Sequence, residues 1–355
     1  MNNIYKQTSQ TILDKLDVLS QIAVDRQYAL QPDLWTPYKQ AGHIKSLRDA
    51  GYHFSYLAES LAANDSSLFL DYVLWVKVLF SSLKLPADAL AVALECSRQA
   101  LQETLQPEMT VLSLSYIDSA LKHLSESSGV LESFISPDSP CYELATNYLK
   151  ALLDGNRHLA SQLILDAASH GVGVKDIYLQ VFQPCQQEVG RLWQIRQISV
   201  AQEHFCSVVT QMIMSQLYPY IFSKKKVRHS LVATSVGGEL HEIGMRMVAD
   251  FLEMEGWDTY YLGANTPTDS ILLSLEEHQA DVLAISATLT LHVSKVSELI
   301  DQIRMSPSQS KIKILVGGYP FNIARNLWRQ IGADGYAPDA QEAVLAANRL
   351  MEDKN

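Results

Sequence analysis

Apolar positions along the chain change period once, near residue 229. From residue 1 to about 140 they recur at helical spacing, as in Ile12, Leu16, Leu19, Ile22 and in Tyr72, Val76, Leu79, Leu83. Breaks at Pro32, Pro37, Asn64-Asp65, Pro86 and Pro107 cut this region into five or six predicted helices, with no strand. A stretch rich in Ser and Pro, Ser125 to Pro140, marks a boundary. Residues 141–223 predict four helices, forming a bundle. The first covers Tyr142 to Leu153, and Asp154-Gly155-Asn156 breaks it. The second covers His158 to Ser169 and the third Val174 to Trp193. The fourth begins at Ser199, where Ser199-Val-Ala-Gln202 fits a capping box. From 229 to 355 short apolar runs alternate with amphipathic segments. Strands are predicted near Leu231–Thr234, Thr259–Leu262, Val282–Ala287, Ile312–Val316 and Gly335–Ala337. Helices are predicted at about 245–255, 267–278, 292–304, 322–331 and 339–352. The expected class is α plus α/β: an all-helical region (1–140), a four-helix bundle (141–223), and a doubly wound five-stranded parallel sheet (229–355).

Five such units suit a flavodoxin-like strand order, with its switch point between the first and third strands. Open sheets of this kind build ligand sites beyond the carboxyl ends of their strands, and three features fall there. Glu239-Leu-His-Glu-Ile-Gly244 follows the first strand, Ser286-Ala-Thr288 ends the third, and Gly317-Gly318 ends the fourth. A neutral His241 can bind a metal through one ring nitrogen. Glu239, two residues earlier, is the natural group to fix its tautomer and raise its basicity. Gly244 lets the helix start pack close to whatever lies above it. Gly263-Ala-Asn-Thr266, read as the second loop, would border the same edge. A response-regulator receiver shares this topology but needs an Asp ending the third strand and an acidic pair after the first. This chain has Ser-Ala-Thr and Gly-Gly-Glu there, which excludes that class.

Two further clusters carry chemistry. Trp193 ends one predicted helix, and after nine residues Glu203-His204 open the next, so the turn brings them to one end of the bundle. An indole there offers a flat apolar lid, and Glu and His offer hydrogen bonds to hydroxyls or amines. The N-terminal helices are aromatic: Trp35, Tyr38, His43, Tyr52, His53, Tyr56, Tyr72 and Trp75. This set reads either as the edge of an all-α core or as the walls of a pocket for a flat conjugated ligand, with Arg48 or Lys45 as cation for its carboxylates.

Composition narrows the classes. The chain has 355 residues, 47% of them hydrophobic, enough for two or three domains. The net charge of −11 opposes nucleic-acid binding, and Lys224-Lys-Lys226 is the lone basic run. Cys96, Cys141, Cys185 and Cys206 show no zinc spacing. With no signal peptide and no long apolar span, a soluble cytoplasmic protein is expected, without membrane or nucleic-acid partners.

The joint spacing matters most: forty-one residues between Gly244 and Ser286, and twenty-eight between Thr288 and Gly317. It resembles the cobalamin-binding domain of methionine synthase and its relatives, with their Asp-x-His-x-x-Gly, Ser-x-Leu and Gly-Gly motifs. Glu239 here stands for the Asp and Thr288 for the Leu. The resemblance implies base-off cobalamin, with His241 as the lower cobalt ligand, Ser286 bonding the buried nucleotide tail, and Gly317-Gly318 leaving room for it. Trp193-x9-Glu203-His204 resembles the signature of the light-sensing cobalamin photoreceptors, where it surrounds an adenosyl group above the cobalt. This likeness covers about residues 141–350. Those proteins' His after the Trp is Gln194 here, so a bis-histidine photoproduct is not implied unless another residue, such as His204, serves.

The resemblance implies a light sensor holding adenosylcobalamin, whose photolysis changes a homo-oligomeric, dimer-type assembly, with no catalytic domain and an open choice of downstream partner. The aromatic N-terminal region, together with the lack of a DNA-binding segment, is similar to the photocobilins. That likeness implies biliverdin as a second chromophore on a platform including Arg48, Tyr52, His53 and Tyr56. The alternative is the corrinoid carrier subunit of a methyltransferase, using the same His241 and the same sheet.

Overall fold

The structure is a computed structural model describing residues 2–35, 39–126, 131–221 and 226–352. Tyr38 and Lys224-Lys225, singled out above, lie outside the described residues, as do Pro37 and part of the Ser-rich boundary. The chain divides into two units. One comprises Met1–Val130 with Leu289–Ser294 and Ile323–Leu327, and the other comprises the remainder.

The first unit holds seven helices among the described residues, more than the five or six the breaks predicted. They are α1 (Asn2–Asp14), α2 (Leu16–Leu30), α3 (Pro32–Trp35), α4 (Lys39–Ala62), α5 (Ser66–Ser82), α6 (Ala89–Thr104) and α7 (Pro107–Glu126). The surplus comes from a break without Pro or Gly at Lys15, and from the single turn at Pro32. The Asn64-Asp65 break works as expected: Asp65 caps α5 by accepting from the Ser67 amide. Ile12, Leu19, Phe54, Leu57, Phe69 and Leu94 lie in one apolar core.

The second unit opens with the bundle: α8 (Tyr142–Leu153), α9 (Arg157–Ser169), α10 (Val174–Ile177), α11 (Gln183–Gln194) and α12 (Val200–Gln216). A π-helical turn, Tyr178–Phe182, joins α10 to α11, so the predicted third helix is continuous but carries one over-wide turn. Asn156 caps α9 through the Leu159 amide. Ser199 and Gln202 form the expected capping box of α12.

Then come β1 (Ser230–Val236), α13 (Ile243–Met254), β2 (Asp258–Thr266), α14 (Thr268–Glu277), β3 (Val282–Ser286), α15 (Val293–Met305), β4 (Lys313–Gly317), α16 (Tyr319–Ile323), α17 (Leu327–Gln330), β5 (Gly335–Ala337) and α18 (Ala340–Glu352). All strand pairs are parallel, in the order β2-β1-β3-β4-β5. The first switch point therefore falls between β1 and β3, as predicted. Both strands are buried almost throughout, as parallel strands covered on both faces must be. Two expectations need correction. Gly263–Thr266 is the end of β2, not a loop, because two irregularities in the β1–β2 register let the strand run on. The helix predicted over 322–331 is two short helices, α16 and α17.

The bundle has no separate core. Tyr148, Tyr178, Phe182 and Ile213 pack in one apolar cluster with Phe251 and Leu252 of α13 and Ala347 of α18. Burying one amphipathic face of α13 against the bundle is the dominant favourable term in seating the two layers.

In the first unit His53 is buried, and burial holds its pKa down at about 4, against an ordinary 6.5. The folded state thus binds fewer protons than the unfolded chain between those values. Its share of stability is complete above pH 6.5 and is lost as pH falls towards about 4, by roughly 3 kcal/mol at the limit. Denaturant unfolding of the first unit should accordingly be easier at pH 5 than at pH 7, and His53→Gln should flatten that dependence. A His53→Gln profile identical to wild type would show that His53 does not titrate on unfolding.

Candidate functional site

The loop after β1 is shaped by one buried carboxylate. Glu239 is fully buried, yet it ends a loop whose neighbours Gly238 and Leu240 are exposed. Its Oε1 accepts from the His241 amide at 3.0 Å and from His241 Nδ1 at 2.6 Å. Its Oε2 accepts from the Thr288 amide at 2.7 Å. Three N–H donors thus offset the cost of burying the charge. A carboxylate oxygen only accepts from Nδ1–H, so the proton sits on Nδ1 and the Nε2 lone pair remains for a ligand. The imidazole is 55% exposed. The hydrogen bond from His241 to Glu239 raises the His241 pKa above 6.5, against the opposing pull of burial, and the charge of Glu203 adds to the rise.

Hydroxyls line the strand ends beside it. Ser286 Oγ lies 3.1 Å from Ser235 Oγ, and Ser235 Oγ reaches the His241 carbonyl at 3.4 Å. Asn265, in a left-handed conformation, braces the loop from β2. Its amide donates to the Glu239 carbonyl at 2.9 Å, and its Oδ1 accepts from Gly238 at 2.6 Å.

The Gly pair has a structural cause of its own. Gly318 has φ +101°, and a Cβ there would stand 2.1 Å from the Ala287 carbonyl oxygen; one on Gly317 would stand 2.9 Å from that of Ala337. The chain ends β3 and β4 so tightly that only glycine fits, whatever occupies the edge. Gly244 differs from expectation: a Cβ there would meet nothing within 4 Å, so close packing on protein does not explain it.

The structure therefore brings together Glu239, His241, Ser286 and Thr288, with Gly317 paired in register opposite Ser286. Glu203 is near enough for its charge to act on His241. Trp193 ends α11 at 36% exposed. The His204 side chain is 72% exposed, 3.4 Å from Glu203. Gln194, in place of the photoreceptor His, is buried. In the first unit Arg48 and Tyr52 are exposed on α4. Tyr56 stacks on Tyr72, ring centroids 3.8 Å apart, and His53 turns inward to share a 2.8 Å hydrogen bond with the Tyr72 hydroxyl. The sequence reading did not single out Ser235, and it placed Asn265 at the site's edge without its role in bracing the loop. An Asn inside that Gly-Ala-Asn-Thr run, a residue type tolerant of the left-handed region, was the available signal for that role.

These residues fit a cobalt corrinoid: an imidazole with one committed and one open nitrogen, hydroxyls at the switch point, and an unfilled space above Gly244. Comparison with known proteins agrees. Family models described as B12 binding domain match residues 144–218 and 229–345, and one described as Phycobilisome protein matches residues 6–124. A corrinoid protein of Desulfitobacterium hafniense is 25% identical over 207 residues, 57% of this chain and 94% of that protein. Dimethylamine corrinoid protein 3 of Methanosarcina mazei is 30% identical over 122 residues, 34% of this chain and 71% of that protein. The corresponding protein of Methanosarcina acetivorans is 32% identical, and the chain spans 56% of its length. The monomethylamine corrinoid protein of Methanosarcina barkeri has the same fold over 59% of this chain and 100% of its own, with TM-score 0.53 and 24% identity. The chain belongs to the cobalamin-binding corrinoid protein family. No helix among the described residues is long and apolar enough to cross a membrane.

The His241–Glu239 bond makes a direct prediction for the cofactor-free protein. An NMR titration of the His241 imidazole should give a midpoint above 6.5, and Glu239→Gln should lower it. Since the proton competes with a metal for the ring, ligand binding through Nε2 should strengthen as pH rises through that midpoint. A midpoint unmoved by Glu239→Gln would remove this bond from the account.

Proposed function

We propose that the chain holds cobalamin base-off, with His241 Nε2 as the lower cobalt ligand. The observation that carries this is the 2.6 Å contact from His241 Nδ1 to a fully buried Glu239, which leaves the Nε2 lone pair of a half-exposed imidazole for a ligand. Ser286, with Ser235 beside it, would take the displaced nucleotide tail, and Thr288 would hold the Glu239 carboxylate in place. Gly317 and Gly318 would shape the slot. On the upper side Trp193, Glu203 and His204 would close over the axial group. The bound corrinoid supplies a breakable cobalt–carbon bond; the chain supplies ligation, orientation and exclusion of water.

Two outputs follow from one binding mode. The named relatives, all corrinoid proteins, favour a corrinoid carrier, which would work with a methyltransferase partner. The second reading is a light sensor that holds adenosylcobalamin, and it rests on two observations. The first is the Trp193-x9-Glu203-His204 spacing, which suits a large polar axial group better than a methyl. The second is the helical unit matched at 6–124 by the phycobilisome-protein model. In the Desulfitobacterium relative, 94% of the protein is accounted for by 57% of this chain, so the remainder of this chain has next to no counterpart there. In this reading the first unit carries biliverdin, with Arg48 and Tyr52 at the exposed edge and Tyr56 and Tyr72 behind them. The chain would act as a cytoplasmic homodimer whose assembly answers to light.

Reconstitution with adenosylcobalamin in the dark should give a bound, base-off spectrum. His241→Ala should change that spectrum and weaken binding at least about tenfold; an unaltered spectrum and affinity would take His241 out of the site. Green light followed by size-exclusion separates the outputs. Changed assembly in wild type that is lost in Trp193→Ala, with a red absorption band on adding biliverdin, selects the sensor. Unchanged assembly with no red band selects the carrier.

A further inference from the structure

One face of α13 carries polar groups where a helix between two layers is otherwise apolar. Glu242, immediately after His241, stands at the start of α13, and Arg246 and Asp250 follow at four-residue intervals on the same stripe. Each reaches the bundle. Glu242 Oε1 accepts from Gln211 Nε2 of α12 at 3.0 Å, while its Oε2 accepts from the Tyr261 hydroxyl of β2 at 3.0 Å. Arg246 donates to the Gln211 carbonyl at 3.1 Å and to Ser215 Oγ at 2.7 Å, and lies over the Tyr218 ring. Asp250 accepts from the Tyr178 hydroxyl, in the π-turn, at 2.8 Å. Arg246 and Asp250 are 8% and 6% exposed.

Apolar contacts alone would let α12 slide along α13 by small steps. Directional polar contacts between buried groups fix one register, which is the best-attested use of such groups. The register matters because of what α12 carries. Glu203 and His204 lie about 12 Å and about 10 Å from Gln211 along the axis of one helix. Gln211 is held by the residue next to His241. We infer that the Glu242–Arg246–Asp250 stripe is a clasp that sets the height of the upper side chains above His241, with Glu242 as its principal positioning residue. This rests on the proposed cobalamin site and adds to it the element that spaces its two faces.

The test uses the full-length chain with and without cobalamin. Without cofactor, Glu242→Ala should raise amide hydrogen exchange across residues 200–216 severalfold. With cobalamin, it should keep the His-ligated spectrum, because Glu239 is intact, while the Kd rises about tenfold or more. Gln211→Leu cuts the same bond away from His241 and should act alike if Glu242→Ala folds poorly. The exchange Glu242→Gln with Gln211→Glu restores the bond with donor and acceptor reversed, and should return both measurements towards wild type. Wild-type exchange and wild-type Kd in both single variants would overturn the clasp. So would loss of His ligation in Glu242→Ala, which would place its effect on His241 rather than on the lid. If the wild-type chain bound no cobalamin, the binding proposal would fail, and the exchange data alone would decide the clasp.

Discussion

A carboxylate buried at the carboxyl edge of a parallel sheet is the constraint on which the site depends. Glu239 can be buried because three N–H groups point at it, two from His241 and one from Thr288. Those donors come from the ends of two different strands, so one carboxylate ties the β1 loop to the β3 loop across the switch point. The imidazole then has a fixed tautomer and a fixed orientation before any ligand arrives. Such preorganisation is what a ligating residue needs from its supporting shell. Asn265 secures the same loop from the outer strand, so its conformation is over-determined from both neighbours of β1.

The second layer follows from the first. The bundle shares its apolar core with α13 and α18, and its polar contacts to α13 start at the residue after His241. The His241 loop and α12 are therefore both tied to the same short stretch, Glu239 to Arg246. One short segment of chain thus links the His241 loop to α12 without crossing the sheet. The helical unit at the amino terminus has its own apolar core and a buried histidine, His53.

Much of this was legible in the sequence, for stateable reasons. The five strands were readable because buried parallel strands are short continuous apolar runs, and the four bundle helices because their ends carry side-chain caps at Asn156 and Ser199. Glu239 and His241 were readable because a carboxylate two residues before an imidazole is placed to accept from its Nδ1, as it does here. The break at Lys15 was not, since no Gly or Pro marks it. The extension of β2 through Gly263–Thr266 was hidden because Gly and Asn read as loop, whereas here they accommodate a register irregularity. The polar stripe on α13 was overlooked because Glu, Arg and Asp at four-residue spacing usually describe a solvated face. Only the packing of α12 shows that this face is interior.

The π-turn at Tyr178–Phe182 has a consequence for how this chain is to be compared with others. One extra residue in a helical turn rotates everything downstream by about 100° about the helix axis. Trp193 lies downstream of it, at the far end of α11. A chain that dispensed with the extra residue would wind as an ordinary α-helix and would carry its terminal indole to a different quadrant, unless its turn into α12 compensated. An alignment anchored at Trp193 and at Glu203-His204 would then show a single-residue gap between 178 and 182. The presence or absence of that gap would separate chains that keep an indole at this position of the helix from those that do not.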